Sequence, residues 1–365
     1  MRLFEITARS FRNLSPDPVF FGAGITLITG ENAQGKTNLL EAVALLCGQR
    51  SFRRVRPEEM AASGERFEIS GRVRRSGEEE ILGVAWSRAE GRSFSRGKKS
   101  ISFREASRLA PAVFLAPEHR DLLTGGPALR RRFLDRLVLG SRPAAGDDLV
   151  RYERALTERN ALLSPARRGR VAPGELDAWT EELVRGGIAV RRHRRVALAE
   201  WLLDFEALAQ DAGSEYAAIR LEYRAEGETE DDLRSQFERL AAVERRRGHS
   251  MAGPHRDDLA FSRRGRPLAG QASAGELHRV ASLVKLAEWR AVRRVTGEAP
   301  LLGVDEFDAG LSSAWAEALV RTLPEGATVL LTSAADPARW RGFVGGVLEI
   351  RAGRVVDRPR AVNEG

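Results

Sequence analysis

Hydrophobic positions change their period several times along the chain, and each change marks an element. Residues 1 to 29 alternate and then run apolar, so that Ile25-Thr26-Leu27-Ile28-Thr29 reads as a buried strand stopping at Gly30. From Lys36 the apolar residues Leu39, Leu40, Val43 and Leu46 recur at helical spacing. Strand, glycine loop and helix therefore follow in that order. Residues 65 to 104 alternate again, as in Phe67-Glu68-Ile69-Ser70-Gly71-Arg72-Val73 and Ile81-Leu82-Gly83-Val84-Ala85-Trp86. With turn signals at Ser76-Gly77 and Glu90-Gly91, this predicts antiparallel hairpins.

Between about 120 and 248 the pattern becomes helical and rich in arginine and alanine, with long helices predicted over 149–163, 176–212 and 231–246. Two prolines and a glycine in 164–173 predict a connecting loop. Heptads do not persist, which argues against a long coiled-coil arm. Beyond about 253, Leu301-Leu302-Gly303-Val304 and Val329-Leu330-Leu331-Thr332 read as short buried strands of a parallel sheet. The pattern is α/β, with a discontinuous head expected over 1–118 and 249–365 and a helical second domain over 119–248. The length of 365 residues fits two such units.

Composition sharpens the picture in three places. Hydrophobic residues at 42% and charged residues at 30% support a large core and exclude wholesale disorder. The single cysteine, Cys47, cannot form an internal disulfide, which fits a reducing cytosol. Charge interrupts the N-terminus too early for a signal peptide, and no run of apolar residues is long enough to span a bilayer. A soluble, cytoplasmic protein without membrane attachment is expected. The net charge of +8 favours a polyanionic partner. That pull is weakened by the skew of the basic residues: of 59, only Lys36, Lys98, Lys99 and Lys285 are lysines, as a GC-rich coding sequence would produce unaided.

The chemistry begins at Gly30-Glu31-Asn32-Ala33-Gln34-Gly35-Lys36-Thr37, which matches G-x-x-x-x-G-K-[ST] throughout. The two glycines let successive N–H groups turn inward as an anion nest, and the following helix adds its positive end. Lys36 would reach the β- and γ-phosphates of a nucleotide, and Thr37 would place its hydroxyl on Mg²⁺. A second element is Leu301 to Glu306, a buried strand ending in two acids, where open α/β sheets bind ligands. There Asp305 would bind Mg²⁺, directly or through water, and Glu306 would orient and deprotonate an attacking water. Two acids at an ordinary strand exit are the plainer reading of that pair in isolation. Ser273-Ala274-Gly275-Glu276 is a third element: either a simple capping box or a second phosphate-binding helix start.

Phosphate loop, serine-glycine helix start and aspartate-glutamate strand end, in that order in one chain, resemble the ATP-binding-cassette head shared with SMC-like proteins. More narrowly, the chain resembles the RecF recombination-repair family over nearly its full length. The resemblance is carried by Ser10-Phe11-Arg12-Asn13-Leu14, Ala116-Pro117-Glu118, Thr124-Gly125-Gly126-Pro127, Arg130-Arg131-Arg132-Phe133-Leu134-Asp135, Ala252 to Leu259 and Asp305-Glu306-Phe307. It implies an ABC-type P-loop ATPase head with a mixed sheet and an attached helical domain. It implies ATP and Mg²⁺ as cofactors, with Lys36 and Glu306 in catalysis and Arg12 and Asn13 beside the nucleotide. It further implies an ATP-dependent homodimer on DNA, weak DNA-dependent ATP hydrolysis, and action with RecO and RecR at gaps or stalled forks, in the nucleoid. Ser273 and Gly275 would contact the γ-phosphate held by the opposite subunit.

Three departures from the family pattern stand out. The signature commonly reads Ser-Arg-Gly-Gln, whereas Glu276 here places an acid near bound phosphate. Gly310-Leu311-Ser312 replaces the usual Glu-Leu-Asp, and Glu306 replaces a common aspartate. No glutamine lies near Val113-Phe114-Leu115 to form a glutamine loop.

Arginine clusters are read two ways, as solvated faces or as contacts to DNA phosphates: Arg53, Arg54 and Arg56; Arg130, Arg131 and Arg132; Arg191, Arg192, Arg194 and Arg195. With no helix-turn-helix or zinc signature, any DNA contact is expected to be with the backbone. His255 is either a sensor of nucleotide or DNA, or a loop histidine satisfied by backbone. A transporter's ATPase subunit shares the motif order, and a small-molecule kinase shares the phosphate loop; the arginines suit the first poorly, and the second has no need of Glu306 or Ser273.

Overall fold

The computed structural model describes residues 1–75, 77–164, 174–308, 317, 327–340 and 342–357. The chain divides into two units: one of Met1–His119, Ala274–Lys285 and Val292–Gly365, the other of Arg120–Ser273 and Leu286–Ala291.

In the first unit the alternating segments pair as their pattern dictates. Arg2–Arg9, Arg66–Arg75, Glu78–Ser87, Gly91–Arg96 and Lys99–Ile101, with the short Val19–Phe20 at one edge, form a six-stranded antiparallel sheet. Leu3, Ile6, Phe67, Ile69, Val73, Leu82, Val84, Trp86 and Phe94 fill its buried positions. The continuous apolar runs, having no polar face to show to water, take the interior of a second, mixed sheet. Across that sheet run Arg354–Asp357, Gly346–Arg351, Ile25–Thr29, Val329–Thr332, Leu301–Val304 and Ala112–Leu115. All neighbours are parallel except the first pair.

The helix Lys36–Leu46 packs against strands of both sheets, and nine of its eleven residues are buried. A helix apolar on every side belongs inside a core. Its one buried acid, Glu41, is matched: Arg12 Nε donates to Oε2 at 3.0 Å and Arg12 Nη2 to Oε1 at 3.3 Å, while the Ser51 hydroxyl also donates to Oε1.

The second unit holds the helices Pro127–Ser141, Gly146–Leu163, Glu175–Ala212 and Glu230–Arg247. The last three agree with the predicted ranges to within three residues at each end. The helix Glu230–Arg247 shows why its sequence stops where it does. Thr229 and Asp232 form a reciprocal capping box, three arginines occupy the last turn, and Gly248 takes the left-handed conformation at φ 75°. Tyr152, Leu183, Val184, Val190, Leu233 and Phe237 make one core cluster, and Trp201 packs between Phe133 and Phe205. Trp201, Tyr152 and Tyr216 are all buried. The loop predicted at 164–173 lies outside the described residues apart from Ser164.

Two expectations need correction. This unit is not helical throughout, because Ile219–Arg224, Asp258–Arg263 and Arg266–Pro267 form a three-stranded antiparallel sheet. Residues 249–273, expected with the head, fall here because Asp258–Arg263 pairs residue for residue with Ile219–Arg224. The arginines of the long helix are the second correction. Arg191 is 1% exposed and grips Asp257 through Nε and Nη2 at 3.0 and 2.7 Å, while Arg194 is 4% exposed and donates to Asp135 at 2.8 Å and to Pro254 O at 2.7 Å. These two are interior ion pairs and face neither solvent nor DNA, because helical spacing turns positions 191 and 194 inward and 192 outward.

His255 is likewise interior. Its Nε2–H donates to Ser250 O at 3.1 Å, and its Nδ1 therefore accepts from the Tyr152 hydroxyl at 2.6 Å. Burial holds its pKa down at about 4. That is the backbone-satisfied reading, with a tyrosine added.

Candidate nucleotide site

The loop from Gly30 to Gly35 joins the central strand Ile25–Thr29 to the buried helix Lys36–Leu46. Gly30, Ala33 and Gly35 all have positive φ, of 138°, 63° and 119°. A side chain at Gly35 would be strained by the φ of 119°, and its Cβ would press on Asn13 Oδ1 at 3.2 Å. No side chain caps the helix start, so its first N–H groups are left for an anion. The Lys36 ammonium folds over the loop, donating to Gly30 O at 2.7 Å and Glu31 O at 2.8 Å. Burial lowers its pKa, while Asp305, Glu306 and Asp308 oppose that shift. The lysine and the acids thus share one electrostatic neighbourhood.

Asp305 ends the strand Leu301–Val304, two strands away in the sheet. Its Oδ1 accepts from Thr37 Oγ1 at 3.0 Å and from Thr332 Oγ1 at 2.6 Å. Burial pushes the carboxyl above its usual range, and those two hydrogen bonds pull it back. No bond reaches Oδ2 among the described residues, which leaves one carboxylate oxygen beside the Thr37 hydroxyl. Two hard oxygens are a fragment of a Mg²⁺ shell. Among the described residues no cluster of three His, Cys, Asp or Glu side chains exists to hold a metal alone. A cation here would complete its shell with water or with oxygens of a bound ligand. Glu306, the next residue, is exposed and carries φ 48°.

Arg12 and Asn13 brace the loop. The Arg12 guanidinium is committed to Glu41 and to Glu59 O, and Asn13 donates to Ala33 O at 3.3 Å while accepting from Asn38 Nδ2 at 2.7 Å. From the far end of the chain, Ala352 N and Gly353 N donate to Gln34 Oε1 and O at 2.6 and 2.8 Å.

Residues 6–106 match the AAA domain family. DNA replication and repair protein RecF of Syntrophotalea carbinolica is 34% identical over 316 residues, covering 85% of this chain and 86% of that protein. The protein of the same name from Clavibacter michiganensis subsp. michiganensis is 33% identical over 393 residues, covering 99% and 97%. The chain belongs to the RecF family. A solved structure of the recombination mediator protein RecF with ATP, in the RecFOR pathway, matches with TM-score 0.89 at 25% identity over 98% of this chain and 97% of that one. The Smc head domain of Pyrococcus furiosus matches at TM-score 0.53 and 14% identity, a likeness of fold alone. The fold is thus that of an ABC-type, SMC-like ATPase head, as the motif order implies.

Other RecF-family residues fall as follows. Ser273, exposed, immediately precedes the helix Ala274–Thr296, with Gly275 and Glu276 in its first turn. Gly310, Leu311 and Ser312 lie outside the described residues. Arg53 donates to Asn38 Oδ1 at 2.8 Å, and Arg54 to Glu118 O at 3.1 Å; Arg56 is exposed. Arg130 is spent on Asp258, at 2.6 and 3.0 Å, and Arg131 donates to Asp257 O at 3.0 Å. Arg132 is exposed and has no partner among the described residues. No helix among the described residues is long and apolar enough to cross a membrane.

Sequence reasoning missed Thr332. Thr332 looks like the last residue of an apolar strand, and its hydroxyl shows its use only across the sheet. Gln49, just beyond the far end of the phosphate-loop helix, donates to Ala112 O at 3.3 Å, at the end of the strand Ala112–Leu115 away from Asp305, and so does not supply a glutamine to the site.

Proposed function

We propose that this chain is an ATP-dependent DNA-binding protein of recombinational repair. In this reading it binds ATP and Mg²⁺ at Gly30–Thr37, dimerises when ATP is bound and clamps DNA at gaps or stalled forks. It then helps load the recombinase, together with RecO and RecR, and is released by weak, DNA-dependent hydrolysis; its place is the nucleoid of the cytoplasm. The observation that carries the reading is the Thr37–Asp305 pair beside an ammonium folded over a glycine loop. The relative solved with ATP in the RecFOR pathway supports the nucleotide and the pathway, and the names of the other relatives support a part in DNA replication and repair.

Each residue's part follows from its chemistry. Loop N–H groups and Lys36 hold the phosphates. Thr37 and Asp305 would hold Mg²⁺, which when bound neutralises charge developing on the phosphate oxygens. Glu306 orients the attacking water and takes its proton. Ser273 and Gly275 present a helix start to the partner's γ-phosphate. DNA is held through backbone phosphates, with Arg56 and Arg132 the freest donors of the two clusters and Arg53, Arg54 and Arg131 half-committed; Arg130 is tied to Asp258.

Light scattering with and without ATP and DNA tests this. Mass should double with ATP and the DNA complex should then persist; a mass unchanged by both would overturn the dimeric clamp.

A further inference from the structure

We propose that Thr332 is the positioning residue for both acids of the site, its hydroxyl tying the Asp305 carboxylate to the Glu306 backbone and so fixing where the Glu306 carboxylate is presented. The inference rests on the hydrolytic reading above. The Thr332 hydroxyl donates to Asp305 Oδ1 at 2.6 Å and accepts from Glu306 N at 2.8 Å. One oxygen thus holds one acid by its side chain and the other by its main chain. Thr332 O also accepts from Phe307 N at 3.1 Å, and Ser333 Oγ donates to Asp308 Oδ2 at 2.7 Å. Every residue from 305 to 308 is therefore held by one of two neighbours at the end of an adjacent strand.

Glu306 is the residue most in need of that hold. Its φ of 48° lies in the left-handed region that side chains disfavour. Its exposed carboxylate has no hydrogen-bond partner among the described residues. The point and direction from which that side chain leaves the main chain are set by its own backbone, and that backbone is pinned through the N–H bonded to Thr332. Thr332 is fully buried, so water cannot replace its hydroxyl.

The test compares Thr332→Val, Thr332→Ser and Glu306→Gln for MgATP affinity by equilibrium titration and for steady-state turnover. Valine keeps the shape and loses the hydroxyl. Thr332→Val should hold its MgATP Kd within about threefold and lose roughly tenfold to a hundredfold in kcat, the penalty of a displaced base. Thr332→Ser should recover kcat to within about threefold of wild type, since it restores both bonds. In the Glu306→Gln background, Thr332→Val should cost clearly less than it does in the wild-type protein, because one of the two acids it positions is already gone and only the hold on Asp305 remains to be lost. Wild-type kcat in Thr332→Val would overturn the inference. So would joint loss of affinity and kcat that serine does not restore, since the hydroxyl would then serve the fold alone. Wild-type turnover in Glu306→Gln would instead overturn the assignment of Glu306 itself, whatever Thr332 shows.

Discussion

Thr37 and Asp305 stand 268 positions apart in the chain and 3.0 Å apart in the fold. The hydroxyl at the first turn of the phosphate-loop helix and the carboxylate at a strand end meet because the strands that carry them are separated by one strand of a parallel sheet.

Replacing Lys36 with methionine removes an ammonium that donates to Gly30 O and Glu31 O and stands ready for phosphate. Tight ATP binding should be lost, with Kd rising about a hundredfold or more, as suits a buried charge-assisted contact. Titration with labelled ATP measures it, and an unchanged Kd would remove the loop from nucleotide binding.

Glu306→Gln keeps size and removes the carboxylate proposed as the base. ATP should bind as in wild type and turnover should fall by roughly two to four orders of magnitude. The ATP-bound dimer should outlive the wild-type one in a chase with unlabelled nucleotide.

Ser273→Arg places bulk at the exposed start of the helix Ala274–Thr296 and leaves Gly30–Thr37 untouched. ATP affinity of the monomer should stay within about twofold. ATP-dependent dimerisation and DNA retention should both fall, and added salt should weaken DNA binding in the presence or absence of ATP through counterion release. A variant that dimerises and holds DNA normally would leave Ser273 as nothing more than a cap.

Asp257→Ala deprives Arg191 of two hydrogen bonds and Tyr223 of the acceptor for its hydroxyl. Stranding a buried guanidinium should cost about 3–5 kcal/mol, read as a lowered urea midpoint. Arg132→Ala, on the exposed side, should leave the midpoint within about 0.5 kcal/mol and reduce the salt slope of DNA binding by about one unit. Equal effects of the two substitutions on both readouts would break the division between interior and surface arginines.

His255 predicts a pH dependence with a definite sign. Burial depresses its pKa from 6.5 to about 4, so the folded state prefers the neutral ring and the unfolded state takes the proton first. Its contribution is whole above about pH 6.5 and drains away as pH falls towards 4. The loss should be about 2 kcal/mol at pH 5, and His255→Gln, which keeps a donor and an acceptor, should lose that part of the slope. Urea midpoints at pH 7 and pH 5 for both proteins give the comparison.

What the sequence disclosed follows from how local each signal is. Ile25–Thr29, the glycine loop and the helix from Lys36 are adjacent, so their periods and spacing suffice to place them. Arg191 and Arg194 misled because a charged helix position looks alike inside or outside until its partner is found. Asp257 and Asp135 lie 66 and 59 residues away. Ile219–Arg224 alternates well enough for a strand, yet it sits between helices and its partner Asp258–Arg263 arrives only after another helix. Thr332 carried no signal of its own, since a threonine ending an apolar strand has no pattern that distinguishes packing from bridging.

The strand Ile25–Thr29 lies between Val329–Thr332 and Gly346–Arg351, and Gly353 lies so close to Asn13 O that a Cβ there would overlap it. Both walls of the phosphate loop are therefore synthesised about 300 residues after the strand that leads into it. At about 5–20 residues per second, the nascent strand waits roughly 15–60 s on the ribosome with its apolar edges unpaired. A transcript cut short before Val329 yields a polypeptide that carries the whole loop sequence and the brace from Asn13 but neither of the strands that flank Ile25–Thr29.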